Sequence, residues 1–159
     1  MSWGSWGKQL QKKEMINLMN HCFENDITTF DHADIYGDYS TEENFGKAFI
    51  DSGLKRDKVQ FISKCGIQLI GGKRANKVGH YNYSSDYIIR SVEASLKHLR
   101  TDYLDVILLH RPSPLMHPQD VMEAIAKLGQ EGKINDFGDR SGLRRDWHQW
   151  ADSGYGDSV

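Results

Sequence analysis

The chain has 159 residues, 38% of them hydrophobic and 26% charged, with a formal net charge of −2 and a pI near 6.4. That profile fits one soluble, cytoplasmic globular domain and excludes a disordered chain; the charge balance gives no reason to expect a nucleic-acid partner. No apolar run approaches the roughly 18 residues a membrane span needs, no secretory h-region opens the chain, and two cysteines, Cys22 and Cys65, provide neither a disulfide framework nor a metal site.

In chain order, Met15, Leu18, Met19, Cys22 and Phe23 fall on one helical stripe. Ile27–Phe30 is β-branched and reads as a short strand. A second helix is predicted from Ser40, with Glu43 completing a capping box and Phe45, Ala48 and Phe49 facing inward. Val59–Ser63 is the next strand, and the stretch from Gly66 to Tyr83 reads as a long irregular loop. Ser84 or Ser85 then caps a helix whose inner face is Ile88 or Ile89, Val92, Leu96 and Leu99. The apolar run Asp105–Leu109 predicts a strand buried on both faces. Pro118 opens a helix continued by Val121, Ile125 and Leu128, and Lys133–Phe137 opens a further strand. Strand–helix alternation implies right-handed crossovers and a parallel sheet. Residues 139–159 lose this periodicity and read as a poorly ordered tail, with weak support for a helix near Arg144–Trp150.

Each early strand runs into an ionisable residue: Asp31, Lys64 and His110. The carboxyl ends of parallel strands are where α/β folds place ligands and chemistry. With neighbouring strands about 4.8 Å apart, those side chains can converge. Tyr36 follows in the loop after Asp31. A lysine ammonium beside a phenol favours phenolate, and a carboxylate keeps the lysine charged and oriented. Tyr36, Lys64 and Asp31 thus suit general acid catalysis, and the imidazole of His110 can donate a hydrogen bond to a carbonyl oxygen and orient it.

These residues lie in DHADIYGDYSTEENFGKAF, FISKCG and YLDVILLHRPSP followed by LGQEGKINDFG, which closely resemble the aldo-keto reductases over residues 1–138. The resemblance implies a catalytic tetrad of Asp31, Tyr36, Lys64 and His110, NADPH as cofactor, and a small carbonyl substrate. The extended loop Gly66–Tyr83 resembles the subgroup in which this loop covers the active site. Asp31 also faces the cofactor in that reading, and Trp3 and Trp6 line the substrate pocket or, equally, pack at the terminus.

Two features depart from the family. Met1–Gly7 resembles the loop after the first strand. Beyond Phe137-Gly138 stands Asp139-Arg140-Ser141, where the family places a Val-Ser-Asn segment that contacts the nicotinamide carboxamide. The loop that binds the 2′-phosphate has no counterpart. The expected architecture is therefore α/β: an incomplete (β/α)₈ TIM barrel of four to five parallel strands with flanking helices. Residues 1–138 form the partial barrel; 139–159 are a divergent tail left by frameshift, truncation or fusion. Its function is expected to be that of a truncated NADPH-dependent reductase. Two alternatives stay open: a non-catalytic half-barrel that binds no cofactor and self-associates through open sheet edges, and a Schiff-base lyase using Lys64.

Lesser features read as structural. Cys65 is expected as a packed thiol, and Lys73, Arg74 and Lys77 as a solvated loop. His117-Pro118 reads as helix punctuation, and Gly71-Gly72 lacks the context of a phosphate loop. Asp34 competes with Asp31 as the lysine's partner, the family register favouring Asp31.

Overall fold

The computed structural model describes residues 3–71 and 73–139. The expected tail, Asp139 apart, lies outside the described residues, and with it the helix anticipated near Arg144–Trp150.

Helix α1 (Lys12–Glu24) buries Met15 and Met19, with Cys22 and Phe23 half-buried beside them. Strand β1 is Thr29–Asp31, shorter and later than the sequence suggests; Ile27 is exposed and outside it. A single distorted turn, α2 (Tyr36–Tyr39), leads into α3 (Thr41–Ser52). Strands β2 (Gln60–Cys65), β5 (Leu104–Leu109) and β6 (Ile134–Asp139) follow, separated by α4 (Ser85–Leu99) and α5 (Pro118–Gln130). A short antiparallel hairpin, β3 (Ile67–Gln68) and β4 (His80–Tyr81), interrupts the segment expected to be irregular.

The main sheet has the order β1-β2-β5-β6, and every neighbouring pair is parallel. Strand order follows chain order without reversal, and α3 packs on both α1 and α4, and α4 on α5. Successive right-handed crossovers that never reverse leave the helices on one face, which is how a (β/α) barrel is wound. Four parallel strands are present among the described residues, as an incomplete barrel requires.

Register assigns the faces. Phe30 pairs with Phe61, Ser63 with Ile107 and Cys65 with Leu109, and these side chains meet the helices. Here Phe61 lies among Phe30, Phe45 and Phe49, with ring centroids 4.9 to 6.3 Å apart. Edge-to-face aromatic contacts of this kind add to the simple burial of area. Asp31 pairs with Ile62, Ile62 with Val106 and Lys64 with Leu108, so these residues share the other face. There Ile62, Val106 and Leu108 are only half-buried. Strand β5 is therefore covered on one face rather than both, because the opposite wall of a barrel is not among the described residues.

The expected capping box at Ser40 does not form. The Ser40 hydroxyl donates instead to Gly37 O at 2.5 Å, and Glu43 pairs with Lys47 one turn on. At the amino end of the strands, Arg56 donates to Val59 O, Tyr103 O, Thr101 Oγ1 and Asp105 Oδ2 while stacking on Phe61 and Tyr103. This end of the sheet is locked; the carboxyl end carries Asp31, Lys64 and His110.

Candidate active site

Lys64, next to last in β2, lies on the open face and is 5% exposed. Its ammonium donates to Asp31 Oδ1 at 2.6 Å, to His32 O at 2.6 Å and to the Tyr36 hydroxyl at 3.3 Å. An ammonium has three donors, so all three are engaged. The β1 register delivers Asp31, which is half exposed at 49% of its side chain, and the following loop delivers the backbone carbonyl and the phenol. The amine also lies 5.1 Å from the centre of the Tyr36 ring. His110, just past β5, meets the Tyr36 ring edge-to-face at 5.8 Å and is buried; its backbone N–H donates to Cys65 O, tying it to the end of β2. Asp31, Tyr36, Lys64 and His110 therefore converge on one end of one face.

The two tryptophans separate. Trp3 packs against Phe30 and Phe45 on the helix-facing side of the sheet, away from the phenol. Trp6 is exposed and borders a cavity of about 700 Å³ with Ile67, Ile70 and Tyr81 of the hairpin region.

Behind the site lie further buried polar groups, of which His32 and Glu42 were not singled out from the sequence. His32 is fully buried against Phe45, its ring nitrogens lack hydrogen-bond partners among the described residues, and burial more than the Lys64 charge holds its imidazole neutral. Glu42 accepts from Ser63 Oγ at 2.5 Å, and burial pushes its carboxyl up to about 7. Asp34 does not compete for Lys64. Its Oδ2 accepts from Tyr87 and Ser91, and burial raises its carboxyl to about 6 against those hydrogen bonds and the nearby Arg74 charge. Arg74 is not a solvated loop residue: its guanidinium reaches the Tyr87 hydroxyl and Gln68 and lies over the Tyr39 ring. Cys65 is fully buried, and burial raises its thiol far above the range in which it would ionise. No group of His, Cys, Asp or Glu able to hold a metal occurs among the described residues. No helix there is long and apolar enough to cross a membrane.

A parallel sheet wound in barrel order, with an ion-paired lysine donating to a tyrosine hydroxyl at its carboxyl end, defines the class: part of a (β/α) barrel. The chain belongs to the aldo/keto reductase family, whose profile matches residues 1–141. It is 48% identical over 126 residues to the oxidoreductase YcsN of Bacillus subtilis, covering 79% of this chain and 42% of that protein. It is 39% identical to the 6-dehydroglucose reductase of Agrobacterium fabrum, covering 74% of this chain and 40% of that one. Among solved structures, an aldo-keto reductase of Bacillus halodurans in its holo form superposes with a TM-score of 0.70 at 28% identity, over 81% of this chain and 41% of that one. The chain thus spans less than half the length of these relatives.

Proposed function

We propose that this chain carries the catalytic half of an NADPH-dependent carbonyl reductase of the cytoplasm, converting a small aldehyde or ketone to its alcohol with Tyr36 as general acid. The observation that carries this reading is the hydrogen bond from the buried Lys64 ammonium to the Tyr36 hydroxyl. That donor stabilises the phenolate left when Tyr36 gives its proton to a carbonyl oxygen. Asp31 neutralises and aims the amine, and His110, whose ring abuts the phenol, orients the carbonyl oxygen from the adjoining strand.

Of a nicotinamide site the described residues offer the catalytic side, not the Val-Ser-Asn segment that the family sets against the carboxamide, which Asp139-Arg140-Ser141 replaces. A half-exposed carboxylate, Asp31, stands at the mouth beside the phenol, and this is the described residue that would face the cofactor. Bound NADPH supplies the hydride. The chain's own residues supply the proton, the orientation of the carbonyl and the apolar floor of Ile62 and Leu108 that limits water around it. Lys64 is a poor candidate for Schiff-base chemistry, since its nitrogen is buried and already engaged by Asp31, His32 O and the Tyr36 hydroxyl, leaving no room for a carbonyl carbon to approach.

The test is NADPH titration of the purified chain by fluorescence, followed by NADPH oxidation with a small aldehyde. Binding with turnover is the expected result, and Tyr36→Phe should lower kcat by about 10²–10⁴-fold while leaving binding intact. A second reading is favoured by the half-covered face of Ile62, Val106 and Leu108: a half-barrel that binds no cofactor and self-associates. No fluorescence change from a folded chain, with a solution mass above one chain, supports that reading over the first.

A further inference from the structure

The turn that follows Tyr36 is strained, and the β3–β4 hairpin is fastened across it. Gly37, Asp38 and Tyr39 all adopt left-handed backbone, with φ of 61°, 53° and 60°. Glycine accepts this conformation freely, whereas Asp and Tyr hold it only where their surroundings over-determine it. Here the surroundings come from the hairpin segment. The Leu69 N–H donates to the Tyr39 hydroxyl at 3.1 Å, the Lys73 N–H donates to Asp38 Oδ2 at 3.3 Å, and the Arg74 guanidinium covers the Tyr39 ring at 4.2 Å.

Arg74 is anchored in turn. It donates to the Tyr87 hydroxyl at 3.0 Å and to Gln68 Oε1 at 3.2 Å. The Tyr87 hydroxyl accepts from Gln68 Nε2 at 2.5 Å and donates to Asp34 Oδ2 at 3.0 Å. Asp34 completes the circuit, because its backbone N–H donates to Lys64 O at 3.0 Å. The backbone is therefore tied on both sides of Tyr36: before it to β2 and α4, after it to the hairpin. The proton-transfer chemistry at Tyr36, Lys64, Asp31 and His110 leaves this second network without a role.

We propose that Arg74, Tyr87 and Asp34 are positioning residues, which clamp the β3–β4 hairpin onto the left-handed turn 37–39 and so hold the Tyr36 phenol against the Lys64 ammonium. The catalytic consequence rests on the reductase reading; the placement of the phenol does not. Small displacements of a proton donor carry large rate penalties, so a residue remote from the carbonyl can matter to turnover.

The experiment uses the whole chain with ring-¹³C tyrosine. The Tyr36 signal is assigned by its loss in Tyr36→Phe, and Lys64→Met gives the signal of a phenol deprived of its amine. Tyr87→Phe removes one hydroxyl and keeps the ring; Arg74→Ala removes the clamp; Arg74→Lys keeps only its charge. In Tyr87→Phe and Arg74→Ala the Tyr36 signal should move towards its Lys64→Met position. Amide exchange of residues 37–39 and 67–70 should rise about tenfold with that of α5 unchanged, and Arg74→Lys should recover part of both effects. If the wild-type chain reduces an aldehyde, kcat should fall about tenfold with little change in KM, and Tyr87→Phe should add nothing in a Tyr36→Phe background. A Tyr36 signal and exchange pattern unmoved in folded Tyr87→Phe overturns the proposal, whatever Arg74→Ala does to folding. An inactive wild type counts against the reductase reading alone, and the spectra still decide the clamp.

Discussion

One sheet presents two unlike faces. The helix-facing side is sealed: Phe30, Phe61, Ile107 and Leu109 are buried against α3, α4 and α5, with Phe45 and Phe49 filling between. The other side carries Asp31, Lys64 and His110 above Ile62, Val106 and Leu108, which stay half-covered. Alternation along each strand produces both at once, since neighbouring residues point to opposite sides. The first face holds the fold together with little chemistry; the second holds the chemistry with less packing. The geometry of Asp31, Tyr36, Lys64 and His110 can therefore be fixed from the sealed side even though, among the described residues, no wall faces them across the sheet.

The sharpest way to break this contrast is to empty the sealed side. Phe61 is fully buried and meets the rings of Phe30, His32, Phe45 and Phe49 and the Arg56 guanidinium. Phe61→Ala should destabilise the chain by about 3–5 kcal/mol, transfer and cavity terms together, read from urea unfolding. A cost near 1 kcal/mol would show that this layer collapses around the gap and that the sheet is not held from the helix side.

Next in size is a pH effect seated in the same layer. Glu42 is buried between α3 and β2, accepts from Ser63 and is hydrogen-bonded with Ser95; the Asp34 charge raises its carboxyl further and Lys64 opposes this, with His98 Nδ1 at 4.0 Å. Its folded value, about 7, lies above the ordinary 4.5. The neutral acid's contribution is therefore full below about pH 4.5 and is lost as pH rises through about 7. Glu42→Gln keeps the acceptor for Ser63 and cannot ionise. It should raise stability at pH 8 by on the order of 2 kcal/mol relative to wild type and change little at pH 4.5. Equal effects at both pH values would mean that the carboxyl does not titrate in this window.

How much of this was legible in the sequence follows from how local each signal is. Strand ends announce themselves by an apolar run meeting a polar residue, so Asp31, Lys64 and His110 could be placed without coordinates, and helical stripes such as Val92, Leu96 and Leu99 could be assigned a side. Local patterns misled where tertiary partners compete. Ser40 and Glu43 match a capping box, yet a left-handed turn puts Gly37 O within reach of the hydroxyl and Lys47 takes the carboxylate. The β3–β4 pair, two residues on each strand, is too short to show any period. Arg74 looked solvated because its partners, Tyr39 and Tyr87, are distant in sequence and meet it only once α4 and the turn after β1 are folded. Trp3 sits near the start of the chain, where a pocket-lining aromatic and a core aromatic look alike; only coordinates show it against Phe30 and Phe45.

The smallest effect belongs to the open face and probes the contrast from the other side. Val106 is half-buried, pairs with Ile62 and Asp136, and points away from the helices. Trimming it removes two methyl groups that are already partly wet, so Val106→Ala should cost under about 1 kcal/mol in dilute solution, several-fold less than Phe61→Ala. Concentration decides what covers this face. If the chain stays single, that cost is the same at micromolar and at hundred-micromolar chain. If copies associate through the face, burial there is part of the folded state, and stability becomes concentration-dependent by mass action. The Val106→Ala cost should then grow with concentration towards that of a core substitution, while Phe61→Ala stays fixed. A penalty equal to that of Phe61→Ala even at low concentration would mean that the open face is sealed within a single chain, and the distinction between the two faces would fail.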